Sequence, residues 1–240
     1  MTTPLTLPYR IPVLDKGWIE LLDLMPHPQS GVSLDLAVVN AARTSFLGES
    51  KGEVADRQLL HYLMRNRHTS PFEMVEFKFR IYAPLVTYWQ WVRHRTWSFN
   101  ASSGRYVDFT EGEAYLPTEW RTQHPINKQA SAHPVPVEVS ADFTQRLQEH
   151  TQRGYDLYEA ALKVGIAREM ARFFLPGFTV YYTWVAKVDA HNLMHFLTLR
   201  MAQDAQYEIR AYAHAIYTDI FSKVMPITAE AFDLYRNVAS

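Results

Sequence analysis

An α+β fold follows from three features of the sequence. A segment near residue 75 alternates apolar and polar residues with period two, strand-like runs sit in the N-terminal half, and helix-period runs fill the C-terminal half. The expected architecture is an antiparallel or mixed central sheet flanked by helices, in a single domain spanning residues 1–240. With 48% apolar residues, a chain of this length can bury one substantial core.

Taken in order, Trp18–Leu24 is short, apolar and followed by Pro26 and Pro28, which predicts a strand. Residues 33–42 are apolar and fit either strand or helix. Over 54–67, Leu59, Leu60, Leu63 and Met64 recur at helical spacing, and His68-Thr69-Ser70-Pro71 ends that run. The clearest strand is 75–82, where Val75, Phe77, Phe79 and Ile81 alternate with Glu76, Lys78, Arg80 and Tyr82. Pro84 is expected to open a helix from Leu85 to about Arg95. Residues 96–105, rich in Ser, Asn and Gly, read as a loop, and the proline-rich stretch 117–139 as a long exposed one. Beyond it the pattern turns helical, with Phe143, Leu147, Tyr155, Tyr158 and Leu162 on one stripe and a short helix 168–175 stopped by Pro176. Asp189 can cap a further helix whose stripe includes Leu193, Phe196, Leu197 and Leu199, then Ile209.

Composition removes several functions. The chain has no cysteine, which excludes disulfides, thiolate metal sites and a cysteine nucleophile. Lys and Arg total 24 against 25 for Asp and Glu, too balanced for a general nucleic-acid coat protein, so any anion site must be local. No apolar run reaches the roughly 18 residues of a membrane span, and Met1 to Asp15 carries no signal-peptide pattern. A soluble cytoplasmic protein, with neither membrane nor nucleic acid as partner, is the expectation.

Two groups of residues could carry chemistry. No acidic residue lies between Glu76 and Asp108, so Arg93, Arg95 and Arg105 lack local partners beside a Ser/Gly-rich segment. Guanidinium groups, free backbone N–H groups and small hydroxyls together suit a phosphate; a solvated basic face paired with distant acids is the alternative. On the C-terminal helices, Glu169 and Arg172 share a face, as do His191 and His195, and Arg200 and Asp204. The two histidines lack the glutamate of zinc-protease helices, so no metal is expected. Arg200 borders apolar Leu197 and Leu199 and needs either an acid, with Asp204 the nearest, or a ligand anion. A phosphate-binding enzyme, an RNA-binding module using the nearby aromatics, and a structural oligomer subunit are the classes these residues leave open.

The spacing Arg93-His94-Arg95, then seven residues, then Ser103 resembles the signature of flavin-dependent thymidylate synthases. Three more blocks resemble that family in its order: residues 68–73, residues 168–176, and residues 193–200 with 205–210. The resemblance spans roughly residues 15 to 235. It implies a homotetramer with active sites built from several subunits. FAD would be the bound cofactor, NADPH the reductant, 5,10-methylenetetrahydrofolate the carbon donor and dUMP the substrate converted to dTMP. Carried over by position, Ser70, Arg93, His94, Arg95, Ala101, Asp189, Ala190, His191 and His195 are expected at FAD. Gln90, Trp91, Val92, Arg93, Ala101, Ser102, Ser103, Gly104, Arg105, Arg172 and Arg200 are expected at dUMP. Arg200 is the expected catalytic group, stabilising negative charge on an ionised uracil in place of the absent cysteine. Ser103 is expected to hydrogen-bond dUMP rather than attack it, since no adjacent base is visible. Four positions depart from the family: Ala101 stands where glutamate is common, Asp189 and His191 where many members have Asn and Arg, and Asp204 where histidine is common.

Overall fold

β1 (Tyr9–Val13) and β2 (Gly17–Met25) form a hairpin whose second strand buries Ile19 and Leu21 completely. The computed structural model describes residues 5–46, 48–109 and 113–236. After the hairpin the ambiguous segment is helical. Ser33 caps α1 (Leu34–Arg43) by accepting from the Leu36 N–H at 3.2 Å. α2 (Glu53–Arg65) follows and is tied to α1 by a largely buried ion pair, Arg43 to Asp56, at 2.6 Å. β3 (Glu76–Pro84) has the expected alternation: Phe77, Phe79 and Ile81 are fully buried, while Lys78 and Arg80 are exposed.

The sheet is antiparallel throughout, in the order β1-β2-β3-β7-β4. Two of its members correct the sequence reading. β4 (Ser98–Ala101) lies within the expected loop; it is an edge strand that exists by pairing with β7, not by its own propensity. β7 (Tyr181–Asp189) comes from the half read as helical and pairs with β3 over nine residues, from Glu76–Asp189 to Pro84–Tyr181. Flanked on both sides, it reads as a nearly continuous apolar run, which periodicity alone does not separate from a buried helix.

Three more differences bear on the site. Pro84 ends β3 in extended geometry, and α3 (Leu85–Trp91) stops four residues short of Arg95. The 117–139 stretch is not a featureless loop. It carries a small hairpin, β5 (Arg121–Gln123) with β6 (Ser131–Pro134), and then starts α4 (Val137–Lys163). Leu199 is 47% exposed and does not belong to the apolar stripe of its helix.

The remaining elements are α5 (Arg168–Ala171), α6 (Ala190–Arg200), α7 (Tyr207–Ile216), a π-helical turn (Tyr217–Phe221), α8 (Ser222–Val224) and α9 (Pro226–Tyr235). One core joins the buried sheet face to α1, α2, α6, α7 and α9, through Phe77, Phe79, Trp184, Phe196, Tyr212 and Phe221. The opposite face is polar, where Glu20 sits between Arg10 at 3.0 Å and Arg80 at 3.4 Å. The free N-terminus of α9 is closed by a residue 192 positions before Ile227. There Asp35 accepts from Ile227 N at 2.9 Å, Thr228 N at 3.0 Å and Thr228 Oγ1 at 2.5 Å.

Gly17 is where α7 meets the sheet. The Tyr212 hydroxyl donates to the Tyr82 carbonyl at 2.6 Å directly above it. A Cβ on Gly17 would lie 2.0 Å from the Tyr212 oxygen and 2.9 Å from the Tyr82 carbonyl. Gly17→Ala is therefore expected to destabilise the fold by about 1–3 kcal/mol through overpacking, read as a lowered urea midpoint at unchanged m-value.

Candidate active site

α3 begins where its first free N–H groups find partners outside the helix: Leu85 donates to the Val180 carbonyl at 2.9 Å and Val86 to the Phe178 carbonyl at 3.2 Å. It ends at Trp91, whose indole is fully buried against Phe196 and Trp184. The chain then descends in tight turns, Arg93 N to Gln90 O at 3.4 Å and His94 N to Trp91 O at 3.0 Å. Those turns leave Arg93 and Arg95 exposed and send His94 inward, where it is 7% exposed and its ring lies 5.0 Å from that of Phe196. Among the described residues neither Arg93 nor Arg95 has an acidic partner.

Arg200 reaches this turn from the last position of α6. The helix is started by Asp189, which accepts from Asn192 N at 2.8 Å and Asn192 Nδ2 at 2.7 Å, and by Ala190 N donating to the Val75 carbonyl at 2.8 Å. At the far end, Arg200 Nε donates to His94 Nε2 at 2.9 Å and Nη2 donates to the Gln90 carbonyl at 3.3 Å. A guanidinium only donates, so His94 is held as a neutral imidazole with Nε2 as acceptor and the proton on Nδ1. Burial pushes the His94 pKa down to about 4, and the neighbouring Arg200 charge and the nearby His195 ring add to the shift. Burial also lowers the Arg200 pKa. The expected neighbour Asp204 does not pair with it; α6 ends at Arg200, and Asp204 instead accepts from Asn127 Nδ2 at 3.4 Å. Arg200 is thus a half-buried cation with no carboxylate partner among the described residues.

Two clefts receive most of the other expected residues. The first, of about 680 Å³, has an apolar floor of Leu63, Phe72 and Met194 and polar walls that include Thr69, His191 and His195. Ser70 is exposed next to it, and the His195 ring lies 6.3 Å from that of His94. The second, of about 420 Å³, is lined by Ser102, Ser103, Gly104 and Arg172 with Tyr88 and Tyr182. Gly104 is required there, because a Cβ would meet the Phe109 ring at 2.6 Å. Ser103 Oγ accepts from the Arg105 N–H at 3.3 Å, a turn interaction, and has no base beside it among the described residues. Arg105 pairs with Glu169 at 3.4 Å in the open, a contact weak enough for an anion to displace.

Some expected contacts are limited to main chain. Both oxygens of Asp189 are engaged by Asn192, Ala190 and Trp91 are fully buried, and Ala101 offers no polar side chain on β4. Val92 is half-buried at the end of α3. Arg200, Arg93 and Arg95 line neither cleft, so one chain does not gather all the expected groups around one cavity. The first cleft also draws on Arg65 and His68, which the sequence reading assigned no role. The signal was present: a basic helix end running straight into His68-Thr69-Ser70-Pro71. Among the described residues no group of three or more metal-ligating side chains converges, and no helix is long and apolar enough to cross a membrane.

Residues 20–227 match the family model described as thymidylate synthase complementing protein. A flavin-dependent thymidylate synthase of Thermus thermophilus is 46% identical over 226 residues, covering 94% of this chain and 79% of the relative. Another flavin-dependent thymidylate synthase, of Thermotoga neapolitana, is 41% identical and covers 94% and 95%. Among solved structures, the UMP/dUMP methylase PolB of Streptomyces cacaoi, bound with 5-Br dUMP, superposes with a TM-score of 0.79 at 32% identity, covering 94% of this chain and 98% of that one.

The neutral state of His94 makes stability depend on pH. An imidazole with a lowered folded-state pKa binds fewer protons in the folded chain than in the unfolded one, so its contribution is whole above about 6.5. It is lost as pH falls from there through about 4. Urea unfolding of the wild type and His94→Gln from about pH 7.5 to about pH 4.5 is expected to show a steeper acid loss in the wild type. Parallel pH profiles would remove the Arg200–His94 bond as its source.

Proposed function

The chain belongs to the flavin-dependent thymidylate synthase family, and we propose on that premise that it is an FAD enzyme that reductively methylates dUMP to dTMP. In this reading 5,10-methylenetetrahydrofolate is the carbon donor and NADPH the reductant. The observation that carries it is Arg200, a half-buried guanidinium oriented by a neutral imidazole and a carbonyl, with no described acid to cancel its charge. Such a group is set up for an anion or for charge that develops during a reaction. A chain without cysteine cannot activate a pyrimidine by thiolate addition, which leaves electrostatic activation as the route these residues support.

The residues fit the cofactor by donor chemistry. The first cleft combines an apolar floor with imidazole, hydroxyl and guanidinium donors, and its volume of about 680 Å³ falls within the range of ligand pockets. Ser70, Arg93, Arg95, His191 and His195 would hold FAD by side chains, while Ala101, Asp189 and Ala190 would offer main chain. Bound there and reduced by NADPH, the flavin would supply the hydride that turns a transferred methylene into a methyl group and would return to FAD.

The chain's own residues do the rest. Ser102, Ser103 and Gly104, with Arg105 and Arg172, would receive the dUMP phosphate, their hydroxyls, N–H groups and guanidiniums neutralising a dianion. Gln90, whose carbonyl receives Arg200, would meet the nucleotide with Val92 and Arg93 of the same turn. Arg200 would polarise the N3/carbonyl edge of the uracil, stabilising the negative charge that makes C5 nucleophilic. In the net reaction a C–C bond forms at C5, the C5 proton leaves, and the methylene is reduced as it leaves the folate nitrogen. His94 keeps the guanidinium aimed and removes no charge from it. Because the two clefts and Arg200 are separate on one chain, the reading includes a homotetramer whose active sites draw on several subunits. A cytoplasmic location accords with the use of reduced nicotinamide and folate.

The direct test is dTMP formation from dUMP, 5,10-methylenetetrahydrofolate and NADPH, with and without added FAD; flavin-loaded protein that forms no dTMP would sink the chemistry. Arg200→Ala is expected to lower kcat by about 10²–10³-fold with dUMP still bound, the usual cost of losing one charge-stabilising donor. Mass spectrometry of the enzyme quenched during turnover is expected to show no covalent nucleotide on Ser103.

A further inference from the structure

The block 205–210 has a structural consequence for the nucleotide edge of the site. Glu208, the second residue of α7, is 7% exposed, and its carboxylate accepts hydrogen bonds from the Tyr115 hydroxyl and from Gln206 Nε2, the latter at 2.7 Å. Gln206 in turn accepts, through Oε1, from Gln90 Nε2. Gln90 is also the residue whose main-chain carbonyl receives Arg200 Nη2 at 3.3 Å.

The direction of each amide in this chain is dictated by chemistry. A carboxylate accepts and does not donate, so Gln206 must turn its NH₂ toward Glu208 and its oxygen away. That oxygen can only accept, so Gln90 must turn its NH₂ toward Gln206. The Gln90 amide oxygen is then left without a partner among the described residues. The Gln206 turn is itself held from the hairpin side, where the Arg121 guanidinium lies 5.0 Å above the Tyr207 ring.

We propose that Glu208 and Gln206 are positioning residues that lock the Gln90 amide with its oxygen free, so that the site presents an acceptor beside the Arg200 donors. An acceptor next to a cationic donor complements an imide edge, a ring N–H beside a carbonyl. In the register that sets the Gln90 oxygen at the ring N–H and the guanidinium at the carbonyl, it opposes an amidine-like edge, where an unprotonated ring nitrogen would face the acceptor and an exocyclic amine the cation. The lock therefore selects a uracil-type base against a cytosine-type base, and this inference rests on the dUMP reading above. Neither Glu208 nor Gln206 touches the nucleotide; both act through Gln90.

Glu208→Gln tests it, because a glutamine there can donate as well as accept and frees both amides to turn over. dUMP and dCMP affinities of flavin-loaded wild type and variant would be measured by calorimetry, with thermal midpoint and flavin content as controls. The wild type is expected to prefer dUMP by at least about tenfold, and the preference to shrink by about tenfold in E208Q, one mispaired hydrogen bond's worth. Gln206→Met, which keeps the side-chain length and deletes the amide, is expected to narrow the preference similarly and gives a second reading if E208Q folds poorly. A wild type that binds no dUMP would overturn the functional reading and the lock together. A wild type that prefers dUMP, with the same preference in both variants, would overturn the lock alone.

Discussion

The hydrogen bond from Arg200 to His94 persists only while the imidazole is neutral, and the packing around it is what keeps it so. His94 is buried under Phe196 in a turn that α3 enters from the sheet, and Arg200 reaches it from the end of α6. Both elements are set by β7. Residues 178 and 180, just ahead of it, close the first turn of α3, and its last residue, Asp189, caps α6. The nine-residue ladder with β3 thus fixes, at opposite ends of one strand, the two segments that meet at the guanidinium.

The other candidate groups fall into two places. Arg172 and the 102–104 turn line one cleft, while His191 and His195 line another. Near-zero net charge makes this partition meaningful, because no global field draws in an anion and each basic group must act where it stands. Phe173 and Phe178, 76% and 63% exposed beside the second cleft, add apolar surface of the kind that neighbouring subunits cover.

How much of this was legible depended on where each segment's stabilisation comes from. β3 alternates because one face is core and one is wet, so Val75 to Tyr82 spelled it out. β7 carries the same fold information but little polar alternation, since Thr183 and Val185 on its other face are half-buried rather than exposed. β4 and the 121–134 hairpin are made by pairing, with Ser, Asn and Pro that propensity assigns to loops. α3 ends early although Val92 to Arg95 holds no helix breaker; the inward pull on His94 is tertiary. The same kind of event removes Asp204 as the partner of Arg200. An i,i+4 partner exists only if the helix continues, and α6 stops at Arg200 itself. What the sequence did disclose was the shortage of acids from 77 to 107, and with it the local excess of positive charge.

A carboxylate would hold Arg200 as firmly as His94 and Gln90 do, and it would defeat the purpose. An adjacent negative charge neutralises the guanidinium's field, whereas a neutral imidazole and a carbonyl orient it and leave the net charge in place. The cost is a partly desolvated cation without a counter-ion among the described residues, which suits a site whose substrate would bring the anion. The amide chain from Glu208 follows the same logic one step removed. The acidic group that sets the polarity of the edge is kept behind two neutral glutamines, so it directs hydrogen bonds without standing next to the cation. In the proposed mechanism, for a chain that cannot form a thiolate, keeping negative charge away from Arg200 until the pyrimidine arrives is the condition under which electrostatic activation would replace a covalent one.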